Sequence, residues 1–161
     1  MLLLFAVYGL RTSDVAALTL DDIDWENDLL QVAGAKGGPT RTYPLVPSVG
    51  NAIARYLRTV RPRSSPREVF LTLYPPCRPL SRGTLYGVTR QQLRALGVRT
   101  NPYGPHALRH TCAARLVSEG LSLKEIGDHL GHRSPKATRI YAKVALPALR
   151  EVAAFDLGEL S

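Results

Sequence analysis

The sequence predicts an α+β domain that is mostly helical and contains a small antiparallel three-stranded sheet. Several segments repeat apolar residues at helical spacing, begin at capping residues and end at glycine. Three short segments favour strands, near residues 19–24, 29–33 and 41–46, with turn signals at Asn27-Asp28 and Gly37-Gly38 between them. No repeat, low-complexity tract or linker divides the 161 residues, a length that suits one domain with a sizeable core.

Composition and charge favour a protein that binds nucleic acid. The net charge is +8 and the sequence pI is about 9.9, which favours an acidic partner. The apolar opening MLLLFAVYGL lacks a basic segment and a cleavage site, so it predicts a buried helix rather than a signal peptide or a membrane span. Cys77 and Cys112 suggest neither a disulfide framework nor a metal site, and a reducing cytoplasm fits.

The first half of the chain contains short helices around the three strands. Residues 2–8 predict an apolar helix that Gly9 ends. Thr12 or Ser13 can cap the next helix, with Asp14 in its first turn. The other elements predicted here are a helix over 48–60 and a short strand over 69–73.

Four helices are predicted in the second half. The first spans 81–96 with Ser81 as its cap, and its basic face of Arg82, Arg90 and Arg94 can lie along DNA or simply be solvated. The others run from Pro105 to about Glu119, from the capping box Ser122–Glu125 to Gly131, and over about 146–155.

The stretch from His106 to Tyr141 carries residue types suited to phosphodiester chemistry. His106 and Arg109 lie three residues apart in the first turn of a predicted helix, where free N–H groups and the helix dipole attract an anion. Arginine binds phosphate oxygens, histidine moves protons near neutral pH, and tyrosine can form a covalent intermediate. His132 and Tyr141 complete this set.

The order HALRHT, then LGHRS, then Tyr141 resembles the tyrosine recombinase (phage integrase) family, and its Xer-like catalytic domain in particular. The segment GLRTSDVAALTLDDIDW, which starts at Gly9, is similar to that family's first arginine box. The resemblance implies that Arg11 is the first catalytic arginine and that Asp14 holds its guanidinium. It also implies a catalytic lysine on the second hairpin, which is Lys36; Arg41 is the nearest other cation.

The same resemblance implies a mechanism without metal or nucleotide cofactor. Tyr141 would attack a DNA phosphodiester, form a 3′-phosphotyrosyl link and release a 5′-hydroxyl. Arg11 and Arg109 would neutralise the phosphate oxygens, and His106 would move the tyrosine proton. The remaining two roles are protonation of the leaving oxygen by Lys36 and a hydrogen bond to the phosphate from His132.

Family members act on double-stranded DNA as tetramers, and in Xer-like relatives the chain after the tyrosine docks on a neighbouring subunit. They also carry a separate N-terminal core-binding domain. The resemblance therefore implies that residues 1–161 form one catalytic domain, truncated at its N-terminus and lacking that core-binding domain.

Three other functions stay open at this point. The chain can be a non-catalytic DNA-binding remnant, although the set of six candidate residues is complete, or a type IB topoisomerase-like enzyme, although the short histidine-to-tyrosine spacing favours a recombinase. Four histidines can also indicate a zinc hydrolase, but Ala107 follows His106 where H-E-x-x-H requires glutamate. We therefore expect His110 to be a packed or hydrogen-bonded structural histidine and His129 a partly exposed helix residue.

Overall fold

A computed structural model describes residues 1–34, 37–98, 104–132, 134 and 138. In this part of the chain six α-helices accompany one three-stranded sheet, which confirms the predicted fold class. The helices are α1 (Leu2–Tyr8), α2 (Thr12–Ala17), α3 (Pro47–Thr59), α4 (Arg82–Ala95), α5 (Pro105–Ser118) and α6 (Leu123–Leu130). The strands are β1 (Ile23–Asp24), β2 (Leu29–Val32) and β3 (Arg41–Pro44).

The sheet is antiparallel in the order β1-β2-β3. β1 is shorter than predicted because residues 20–22 form a 3₁₀ turn, in which Asp22 accepts the N–H of Thr19 at 2.7 Å. The strand predicted over 69–73 is wrong: Val69, Phe70 and Leu71 are buried, but only an isolated bridge to Pro79 forms there. The backbone of this segment bonds to two different stretches, from the Val69 N–H to the Leu18 carbonyl and from the Leu80 N–H to the Phe70 carbonyl, and no continuous ladder forms.

α1 forms the centre of the packing. Its residues Leu4 and Phe5 are fully buried, and the helix packs along α5. Gly9 ends α1 with φ 62°, and a Cβ there would lie 2.6 Å from Leu130 Cδ2. Glycine therefore serves both the left-handed turn and the close approach of α6.

Most predicted helix ends are confirmed. The Ser81 hydroxyl accepts the Thr84 N–H, Ser122 and Glu125 form the capping box, and Gly131 ends α6 with φ 65°. The cap of α2 differs, because Arg11 takes that position and Thr12 is already helical.

No helix in the described ranges is long and apolar enough to cross a bilayer. The helix predicted near 146–155 lies outside the described residues.

Candidate active site

A cavity of about 760 Å³ brings together four of the six candidate residues, Arg11, His106, Arg109 and His132. Its other lining residues are Thr12, Ser13, Arg82, Gly83, Tyr86 and His110. Three arginines and three histidines thus line it, and none of these described lining residues is a carboxylate. Lys36 and Tyr141 lie outside the described residues.

Two long helices begin at this cavity. His106 follows Pro105, the first residue of α5, and Arg82 is the first residue of α4. The positive ends of both helix dipoles therefore add to the charge of the arginines. The resulting cavity is suited to a polyanion.

The carboxyl end of α6 holds both candidate arginines. Arg109 is 6% exposed and donates from Nη2 to the Leu130 carbonyl at 2.8 Å, and from Nη1 to the Gly9 carbonyl. Arg11 donates from Nη2 to the Gly131 carbonyl at 2.6 Å. The last carbonyls of a helix lack intrahelical donors and lie at the negative end of the helix dipole. A guanidinium group supplies both the missing N–H donors and a compensating positive charge. Two consecutive carbonyls thus orient two cations towards one cavity.

Asp14 does not hold the Arg11 guanidinium, so that prediction is wrong. Its Oδ2 accepts the backbone N–H of Arg11 at 3.1 Å and forms an ion pair with Arg41 Nη2 at 2.8 Å. The reason is geometric: Asp14, in the first turn of α2, reaches back to the cap, while the Arg11 side chain extends to α6.

His132 lies beside the positive groups of the site. Its Nδ1 is 2.8 Å from the Thr138 hydroxyl oxygen, which fixes the ring. Burial lowers its pKa to about 4, and the positive charges of Arg109, Arg11 and Arg41 act in the same direction. At neutral pH the imidazole is therefore uncharged and can form hydrogen bonds without adding charge.

The two other histidines, His110 and His129, lie in different environments. His110 is exposed and lines the cavity, so it is not the packed histidine that was one of the two alternatives predicted. The pKa of His110 is lowered mainly by partial burial, and the charges of His106 and Arg109 lower it further. His129 is half-buried at the end of α6, as predicted. Among the described residues no group of three or more metal-ligating side chains can hold a metal ion.

Sequence reasoning missed two neighbours of the site. Tyr86 is 38% exposed and lines the cavity one helical turn after Arg82. That i, i+4 spacing was the available signal. Thr138 is buried against His132, and nothing in its sequence position distinguishes it from other threonines.

Comparison with known proteins places this site in a family. The model of the phage integrase family matches residues 1–146. The chain is 43% identical to the integrase/recombinase y4rA of Sinorhizobium fredii over 95% of its own length and 37% of that protein. It is 38% identical to y4gC of the same organism, over 95% of its length and 79% of that protein.

Among solved structures, that of the XerH site-specific recombinase bound to palindromic difH substrate superposes with a TM-score of 0.77 at 21% identity. The match covers 96% of this chain and 44% of the XerH chain. The helices and the small sheet thus have the architecture of a tyrosine recombinase catalytic domain. The chain belongs to the phage integrase family of tyrosine recombinases.

Proposed function

We propose that this chain is the catalytic domain of a site-specific DNA recombinase that cuts and rejoins DNA through a 3′-phosphotyrosyl intermediate. The observation that carries the proposal is the fixing of Arg11 and Arg109 on adjacent carbonyls of α6, both lining one cationic cavity. Such a cavity suits a phosphodiester that gains negative charge as it is attacked.

The arginines act as preorganised donors. Arg109 is buried and bonded to two backbone carbonyls, so its guanidinium does not have to reorganise when the phosphate oxygens gain charge. Loss of one such donor typically lowers a rate by about 10²–10³-fold. Arg11, which lines the same cavity, acts on the same phosphate.

Histidines handle protons and hydrogen bonds. His106 is exposed in the first turn of α5 and is the group that moves the proton of the tyrosine. His132 is uncharged at neutral pH and hydrogen-bonds the phosphate. Tyr141 as nucleophile and Lys36 as the acid for the leaving 5′-oxygen rest on their sequence positions alone.

Double-stranded DNA is the partner that the charge favours. The net charge is +8, and Arg82, Arg90 and Arg94 are exposed on α4, eight and four residues apart. Positive side chains in such a row neutralise phosphates along a duplex. By family resemblance the enzyme assembles as a tetramer on DNA through the segment after Tyr141 and works in the cytoplasm.

The test is covalent trapping on nicked duplexes that carry candidate sites from the flanking genome. We expect a denaturation-resistant protein–DNA adduct with the natural sequence and none with Tyr141→Phe, which lacks only the hydroxyl that attacks. Tyr74→Phe is the matched control, because Tyr74 is 82% exposed and does not line the cavity. An adduct that survives in Tyr141→Phe would refute the assignment of the nucleophile.

A further inference from the structure

We propose that Arg41 is a positioning residue of this site: its buried ion pair with Asp14 holds the Arg11 backbone and the end of α6 in fixed relation. The proposal rests on the proposed function only in treating the cavity as catalytic. Arg41 does not line that cavity, so it acts through its neighbours.

The first link joins Arg41 to the start of α2. Asp14 Oδ2 accepts two hydrogen bonds, one from Arg41 Nη2 at 2.8 Å and one from the backbone N–H of Arg11 at 3.1 Å. The Arg41 and Asp14 side chains are 12% and 3% exposed. Because solvent screens this pair little, its geometry is held more tightly than that of a surface pair. If Asp14 were displaced, the Arg11 backbone would lose this hydrogen bond, and the Arg11 side chain would be held less firmly.

The second link joins Arg41 to the end of α6. Its Nη1 donates to the Tyr43 hydroxyl at 2.9 Å and faces the His129 carbonyl at 3.5 Å, and the Tyr43 hydroxyl donates to that same carbonyl. A Cβ on Gly131 would lie 2.8 Å from Arg41 Cζ, so the guanidinium lies directly against the residue that precedes His132.

These links close a ring of contacts. Arg41 holds Asp14, Asp14 holds the Arg11 backbone, Arg11 donates to the Gly131 carbonyl at 2.6 Å, and Gly131 packs on Arg41. Such a ring resists displacement of any one member. A planar fork with several donors suits this position, and a lysine offers only a single charged point.

The first experiment needs no activity. NMR measures how fast the Arg11 guanidinium rotates about its Nε–Cζ bond. We expect Arg41→Gln to accelerate this rotation about tenfold or more. We expect the His132 pKa to rise from about 4, because one of the three positive charges that lower it (Arg109, Arg11 and Arg41) is removed. Arg67→Gln is the matched control, since Arg67 pairs with Asp21 at the surface and should change neither signal.

Two further variants allow the same measurements if Arg41→Gln does not fold. Asp14→Asn combined with Arg41→Gln removes both charges and leaves no buried ion unpaired, and Arg41→Lys keeps only the charge. We expect the double variant to match Arg41→Gln in both NMR signals. Arg41→Lys keeps the positive charge, so we expect its His132 pKa to stay near 4 while its Arg11 rotation rate falls between that of Arg41→Gln and that of the natural sequence. Unchanged Arg11 rotation and His132 titration in a folded variant that lacks Arg41 would overturn the proposal.

Covalent trapping supplies the second readout. We expect Arg41→Gln to form the adduct about 10–100-fold more slowly, while duplex affinity stays within about threefold, because Arg41 orients the site and does not contact DNA. Equal losses of affinity and rate would contradict a positioning role. Failure of the natural sequence to form an adduct on any duplex would count against the proposed function, and the NMR signals would still decide the role of Arg41.

Discussion

Removal of the Asp14 carboxylate tests how much the buried ion pair contributes to stability. Asp14→Ala leaves Arg41, whose side chain is 12% exposed in the natural sequence, without its carboxylate partner. Removal of one partner of a buried pair typically destabilises a protein by about 3–5 kcal/mol. The Arg11 N–H also loses its acceptor. Since total stability is typically about 5–15 kcal/mol, the expected loss is a large part of it.

Asp21→Ala is the matched control for this prediction. Asp21 and Arg67 also form an ion pair, but their side chains are 68% and 61% exposed. A surface pair of this kind contributes about 0–1 kcal/mol because water and salt screen it. The two variants remove the same chemical group, so the difference between them reports the buried ion pair together with the hydrogen bond that Asp14 accepts from the Arg11 N–H.

Urea denaturation measures both effects. With a slope of about 2 kcal/mol per M, Asp14→Ala should lower the midpoint by about 1.5–2.5 M, and Asp21→Ala by less than about 0.5 M. Equal shifts for the two variants would refute the conclusion that burial makes the Asp14 pair strong. In Asp14→Ala/Arg41→Met no unpaired charge remains, so part of the lost stability should return.

Three other predictions follow from single residues. Gly9→Ala should destabilise by about 2–4 kcal/mol in the same assay, since a left-handed φ of 62° is combined with a 2.6 Å contact to Leu130, whereas Gly37→Ala, with φ 73° and open space, should lose only about 1–2 kcal/mol. The lowered pKa of His132 means that the unfolded state binds more protons between about pH 4 and 6.5, so stability should fall as pH drops through that window and His132→Gln should flatten the change; an unaltered profile would contradict it. Arg109→Lys should slow adduct formation by about 10²–10³-fold, because lysine lacks the planar fork of donors that bonds two separate carbonyls and still faces a phosphate; a rate within threefold of the natural sequence would exclude that role.

Local sequence was enough to predict most of the architecture. Ser81, the Ser122–Glu125 box, Gly9 and Gly131 mark helix ends through bonds and dihedral angles that involve only a few neighbouring residues. The strands near 29–33 and 41–46 followed in the same way from alternation and turn signals. The ordered motifs also predicted the family, since each is a short segment readable without the fold.

Tertiary structure alone decided how the site is held together. The contact between Arg11 and Gly131 spans 120 residues of chain, and that between Arg109 and Gly9 spans 100. No local pattern indicates that Asp14 pairs with Arg41 rather than with the Arg11 guanidinium. Side-chain partners at such separations depend on which helix ends the packing of α1, α5 and α6 brings together, and that packing is a property of the whole core.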